Sequence, residues 1–307
     1  MESSPARSPL LRGLLRGLLR AAGTAVAAAL ALSACGPATQ AADTRPIEDQ
    51  LGFDQTGIQA RQAKAETLIR DCMKAQGFDY VPVNPAEQQA ALTGVHGMSE
   101  ADFNKQFGFG ITTLYDKQAS AGAGPNERIR AALDAAGRSA YDRALRGEHP
   151  DADFQTALDN GDYSRLGGCT KTAAEQVFGG LDNLATLNTK LEALAEKILA
   201  DKRMVAAVAA WSTCMADAGF ADLHYQDEVD ALLRQRLAKI VGPPDARLTD
   251  YDHAALAVLQ RDEVAMVNAD IRCEGKHVFP VDDQVRGDYE RAFREANADL
   301  LAKVPAP

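Results

Sequence analysis

Residues 72–78, Cys72-Met73-Lys74-Ala75-Gln76-Gly77-Phe78, return at 214–220 as Cys214-Met215-Ala216-Asp217-Ala218-Gly219-Phe220. The shared pattern is Cys-Met-x3-Gly-Phe, and its spacing is that of a helix ending. If the glycine is the left-handed residue just past the helix, the Met is the third residue from the C-terminus and the Phe lies two past the cap. A Schellman stop brings those two positions into apolar contact. Cys and Met are also soft ligands of the kind copper or haem takes. The helix stop already accounts for the spacing, so the predicted cofactors are none and the predicted metal ligands are none.

Apolar periodicity on either side of both copies predicts helix nearly throughout. Ile58–Gln76 places Leu68, Ile69, Cys72 and Met73 on one face, and 78–83 reads as a short extended segment before Pro85. Ser99-x-x-Asp102 is a capping-box-like start, with Asp in place of the usual Glu or Gln. Asn126 is the expected cap of a helix over Glu127–Leu145, while 107–112 and 119–125 read as loops. Leu184, Leu187, Leu191, Leu194 and Ile198 form a stripe that suits the core side of a bundle or, less well because the heptad run is short, a coiled-coil partner. Asp201 is placed to cap the helix carrying Trp211. Helices over Val229–Ile240, Tyr251–Lys276 and Gln284–Val304 follow, with a break at Gly242-Pro243-Pro244. No strand alternation is sustained anywhere. The predicted fold is all-α, a disulfide-stapled helical bundle, and the repeat admits two related halves at 47–180 and 181–307.

The N-terminus reads as an address. Arg7, Arg12, Arg16 and Arg20 precede the apolar run 21–32, and small residues Ser33 and Ala34 lead to Cys35, the order of an export signal over residues 1–34. Pro37, Thr39, Gln40 and Asp43 follow closely, leaving the run short of the ~20 apolar residues a membrane span needs. Leu32-Ser33-Ala34-Cys35 resembles the lipobox of bacterial lipoproteins, in which the Cys thiol receives a diacylglycerol and becomes the first residue of the mature chain. The alternative is an ordinary signal peptide with a coincidental Cys. Cys35 is thus the expected lipidation site and the membrane an expected partner, through acyl chains contributing about 0.8 kcal/mol per buried methylene. Residues 35–46, with two prolines and no periodicity, read as a flexible tether.

The chain has five cysteines, an odd number for an exported protein. Lipid on Cys35 leaves Cys72, Cys169, Cys214 and Cys273, which form two disulfides in an oxidising compartment. Of three connectivities, the repeat favours Cys72–Cys169 and Cys214–Cys273, because each copy is followed by one lone Cys.

The motif pair, the loop around Phe107-Gly108-Phe109-Gly110, the AYDRAL stretch at 140–145 and NADIRC at 268–273 together resemble a group of uncharacterised secreted lipoproteins of high-GC bacteria. The resemblance covers most of residues 60–275. It implies the same export address and disulfide framework and carries no activity.

Charge narrows function. The chain is formally −10, with 33 basic and 43 acidic residues. Residues 1–34 hold four Arg against Glu2, so the remainder has 29 basic and 42 acidic residues, net −13. Such a body is poorly suited to phosphate backbones, so no nucleic-acid partner is expected. Chemistry-bearing groups are sparse. His96, His149, His224, His253 and His277 include no HxxxH or HxH pair. Cys273 and His277 stand one helical turn apart, as two zinc ligands would, but disulfide use of Cys273 is preferred. Tyr251-Asp252-His253 sets an acid beside a histidine without a marked nucleophile, and a helix-cap role is expected. Glu263 and Asp270 lie two turns apart on one helix and admit acid–base work; salt bridges to Arg261, Arg272 or another helix are the preferred reading. The glycines at 108–110 and 167–168 lack the Lys-Ser/Thr of a phosphate loop and read as turns. No catalytic residue is assigned. The expected function is noncatalytic binding of an envelope protein or ligand at the extracytoplasmic face of the cell membrane, with a cell-envelope hydrolase as the alternative.

Overall fold

The computed structural model describes residues 45–120, 124–152, 154, 157, 161–242 and 251–307. The expected lipidation site Cys35, the expected export signal and the expected tether up to residue 44 lie outside the described residues, as does the predicted break at Pro243-Pro244. Among the described residues the regular structure is helical, with fourteen helices and no strand. They are α1 Ile47–Gln50, α2 Gln55–Ala75, α3 Pro85–Thr93, α4 Glu100–Phe107, α5 Tyr115–Ser120, α6 Pro125–Ala131, α7 Ala135–Arg146, α8 Gly168–Phe178, α9 Leu181–Ala200, α10 Lys202–Asp217, α11 Asp227–Val241, α12 His253–His277, α13 Phe279–Ala296 and α14 Ala298–Leu301. None of these helices is long and apolar enough to cross a membrane.

Both copies of the motif end their helices as the spacing requires. Phe78 N–H donates to Met73 O and Gly77 N–H to Lys74 O, each at 3.0 Å. In the second copy Phe220 N–H reaches Met215 O at 2.9 Å and Gly219 N–H reaches Ala216 O at 3.0 Å. Gly77 and Gly219 have φ of +85° and +95°, the left-handed conformation that satisfies the last carbonyls of α2 and α10. Met73 and Met215 are fully buried.

Disulfides join Cys72 to Cys169 and Cys214 to Cys273. The two staples hold differently oriented helix pairs. On α2 and α8, Cys72 meets Cys169 while Arg61 meets Val177 O, so these helices run antiparallel. On α10 and α12, Cys214 meets Cys273 and Trp211 meets Asp270, three residues earlier on both helices, so this pair runs parallel. The observed likeness between the copies lies in the helix ends, and their partner helices arrive in opposite senses.

One core holds the molecule. It draws on Ile47, Phe53, Ala174, Val177 and Phe178 as well as the predicted stripe Leu184, Leu187, Leu191, Leu194 and Ile198, with Met204, Trp211, Met215, Met266 and Val285. The stripe is thus core, and α9 packs on α13, α10 and α8. A smaller cluster of Ile69, Met73, Tyr141, Cys169 and Ala173 surrounds the first staple, where Tyr141 meets Phe78 edge-on at 5.5 Å.

Polar groups tie the chain's outer segments to this core. Arg61, 1% exposed, donates to Leu51 O, Gly52 O, Val177 O and Pro305 O, and its guanidinium carbon lies 5.4 and 5.3 Å from the Phe53 and Phe178 ring centroids. Burial draws its guanidinium pKa down, but four carbonyls and two ring faces satisfy every direction of its charge. Arg286 binds Asp282 at 2.7 Å and Glu48 at 3.2 Å, and Glu290 pairs with Arg294 at 2.8 Å while accepting from Ile47 N–H at 3.2 Å. Burial opposes the charge on Arg286, yet Glu48 and Asp282 raise its pKa above the ordinary value.

Several expected boundaries move. Asn126 is not the cap of a long helix; its side chain bonds Val81 N–H and Val81 O, each at 2.8 Å. The expected 127–145 helix is two helices because Asp134 starts a new one, accepting from Gly137 N–H at 2.7 Å. The 78–83 segment forms no ladder. The expected Gln284–Val304 helix starts at Phe279 and stops at Ala296, where the Asn297 side chain bonds Phe293 O. Ser99, Asp201 and Asp252 cap α4, α10 and α12 as their sequences suggest.

Candidate functional site

Helix α12 organises the groups the sequence singled out. Its 25 residues present a buried face carrying Leu259, Glu263, Met266, Val267, Asp270 and Cys273, and α4, α10, α11 and α13 pack around it. A second face carries Ala257, Gln260, Arg261, Val264, Ala265, Asn268 and Arg272, repeating at helical spacing.

Glu263 and Asp270 have partners other than the expected arginines. Glu263, 0% exposed, accepts from Ile111 N–H at 2.9 Å, Thr112 N–H at 2.7 Å, Thr112 Oγ1 at 2.6 Å and Thr113 N–H at 3.0 Å. One carboxylate thereby organises the 108–113 loop, whose orphan N–H groups would otherwise be buried without acceptors. Gly108 permits the approach: a Cβ there would lie 2.7 Å from Glu263 Cγ. Asp270, 3% exposed, accepts from Trp211 Nε1–H at 2.8 Å. Burial pushes its carboxyl up to about 7, against the lowering effect of that bond. The salt-bridge expectation fails for these acids because both face inward, whereas Arg261 and Arg272 emerge on the other side of the helix.

The remaining candidates also acquire structural roles. Cys273 is a half-cystine, so its thiolate is not offered to metal beside His277. Tyr251 O–H donates to Asp116 and its ring meets Tyr115 edge-on and His253 at 4.3 Å, while Asp252 accepts from Ala254 N–H and Ala255 N–H. Among the described residues no three of His, Cys, Asp and Glu gather as a metal-binding set.

What the sequence reading missed is a groove of about 730 Å³ along the second face of α12. Thr113 of the loop forms one wall, and Ala218 and Phe220 at the end of α10 form the other. Its floor is small and apolar at Ala257, Val264 and Ala265. The amides of Gln260 and Asn268 are fixed by one end only: Gln260 Nε2 donates to Thr112 O at 3.0 Å and Asn268 Nδ2 to Val264 O at 2.7 Å. With their nitrogens held, the amide oxygens of both side chains remain as acceptors beside the groove. Arg261 and Arg272, exposed and eleven residues apart on one face, stand about 16 Å apart along the axis. The i, i+11 spacing was legible, but it became meaningful only when the two walls closed beside it.

No protein family, curated protein or solved structure matches the chain.

Proposed function

We propose that this is an extracytoplasmic lipoprotein, anchored to the cell membrane through Cys35, whose helical body binds a partner or ligand noncatalytically in the α12 groove. The groove carries the reading: it joins an apolar floor to a few oriented polar groups, the usual make-up of a binding site. Glu263, Asp270 and Cys273 favour binding over hydrolysis, since each is committed to a loop, an indole or a disulfide. The sequence Leu32-Ser33-Ala34-Cys35 supports the anchor, and the short tether would display the body just outside the bilayer.

The test has two arms in the cells that make the protein. Mass spectrometry of the mature N-terminus should find lipid on Cys35, and Cys35→Ala should release the protein from membranes. A photoreactive residue in place of Ala265 should give a discrete adduct that the same residue at exposed Val205 does not give. An unmodified Cys35 rejects the anchor. Absence of an Ala265 adduct, together with cell-wall turnover by purified protein that Glu263→Gln abolishes, rejects noncatalytic binding in favour of a hydrolase.

A further inference from the structure

We infer that the α12 groove takes an extended acidic polypeptide segment, with its carboxylates on Arg261 and Arg272 and its backbone N–H groups on the oxygens of Gln260 and Asn268. This deepens the proposed function and rests on the groove being the binding site.

Charge is the first argument. Among the described arginines, only Arg261, Arg272 and Arg291 have no hydrogen-bond or ion-pair partner, and two of these three border the groove. The chain has ten more acids than bases, so intramolecular carboxylates were abundant. Two guanidiniums left unpaired on either side of an apolar floor are complementary to carboxylates supplied by another molecule.

The amides narrow the ligand class. With Nε2 of Gln260 and Nδ2 of Asn268 held by Thr112 O and Val264 O, each side chain offers the groove an acceptor. Inorganic phosphate has no N–H to give them, and a phosphatidylglycerol headgroup has none either. A polypeptide has N–H donors and carboxylates together, and an extended one leaves its N–H groups free where a helix uses its own. At about 3.3 Å per residue, the roughly 16 Å between the arginines corresponds to acids four or six positions apart, the even spacings that put both side chains on one face, with apolar residues between.

The second copy of the repeat supplies an independent sign of vacancy. Phe78 is covered by the Tyr141 ring. Its counterpart Phe220 lines the groove, and among the described residues no aromatic ring meets it. A residue of the occupant would cover Phe220 as Tyr141 covers Phe78.

The test uses the full lipidated chain in nanodiscs, panned against a random twelve-residue peptide library displayed on phage. Selected peptides should carry two Asp or Glu four or six positions apart around apolar residues. The strongest of them should bind about tenfold or more weakly to Arg261→Glu/Arg272→Glu, and its Lys-substituted form should bind that variant in preference to the parent. Both arginines are exposed, so the variant should keep the parent's thermal unfolding; Ala265→Trp, which fills the floor, should also block binding. Selection of neutral or basic peptides overturns the inference, as does equal binding to the charge-reversed variant. Arginine-dependent binding of dioleoylphosphatidylglycerol vesicles without peptide binding assigns the groove to a lipid instead. Arginine-dependent self-association in sedimentation assigns it to a second copy. If the peptide arm fails while Cys35 is lipidated and Ala265 still forms adducts, only the ligand class is wrong. Loss of the adducts removes the site itself.

Discussion

Asp270 is an acid whose burial should be visible in stability. Its carboxyl titrates at about 7 in the folded chain and near 3.9 when unfolded. Between those values the native state holds more protons than the unfolded state, so its contribution falls as pH rises from about 4 to 7 and is constant above. Asp270→Asn keeps an acceptor for Trp211 and removes the titration. It should flatten the pH dependence of urea unfolding in that window and stabilise the protein at pH 8 by roughly 2 to 4 kcal/mol. Equal slopes for parent and variant would contradict this. A second comparison concerns glycine. At Gly77 an added Cβ meets nothing within 4 Å, so Gly77→Ala should cost only the left-handed backbone, about 1 kcal/mol. At Gly108 the same methyl enters Glu263 and disturbs the loop it holds. Gly108→Ala should cost about 2 to 4 kcal/mol by the same denaturation measurement.

At the scale of the elements, the staples connect helices far apart in sequence, closing separations of 97 and 59 residues. Chain-entropy arguments give roughly 4 to 5 kcal/mol for loops of such length as a ceiling, slightly more for the longer. Cys72→Ser/Cys169→Ser should therefore destabilise somewhat more than Cys214→Ser/Cys273→Ser. Nonreducing peptide mapping should recover Cys72 with Cys169 and Cys214 with Cys273; a Cys72–Cys214 peptide would refute the pairing. Helix existence was legible wherever an apolar stripe was long, as from Leu184 to Ile198, or a cap was strong, as at Asp201. Helices α1, α3, α5 and α8 escaped. Helix α3 has little apolar contrast, and its signal was local: Asn84 accepts from Ala86 N–H and Glu87 N–H ahead of Pro85 at the first position. Helix α8 begins at a glycine pair that reads as a turn, and its five buried residues become a face only against α2 and α9.

For the molecule as a whole, the network around Arg286 fastens α1, the first described helix, to α13. Glu48, Asp282 and Glu290 surround one buried guanidinium, and burial together with Glu48 raises the Glu290 pKa. Arg286→Met would remove the cation shared by three buried carboxyl groups and leave Glu290 with Arg294, at a cost of about 3 to 5 kcal/mol. Removing the cation takes away one of the charges that hold the Glu290 pKa down, so the deficit relative to the parent should shrink as pH falls from 8 to 5. Thermal unfolding of both proteins at the two pH values checks the sign. A deficit that grows on acidification would show that the carboxylates are not the source.

The sequence by itself determined the local facts. Helix stops follow from a glycine and two flanking apolar residues, caps from one Asp or Ser, and the all-α class from a period of 3.6; each is decided within a few residues, where chain geometry alone sets the outcome. The cysteine pairing was also legible, because the repeat breaks the symmetry among connectivities. Tertiary structure decided which side chains face each other. Glu263 and Asp270 were visible as acids two turns apart, but their partners, the 111–113 backbone and Trp211, lie about 150 and 59 residues away. Arg261 and Arg272 remain unpaired because Glu263 and Asp270 turn inward and Asp262 pairs with Arg236. The groove exists only where α12 passes a loop from one segment and a helix end from another, and no period along the chain encodes that meeting.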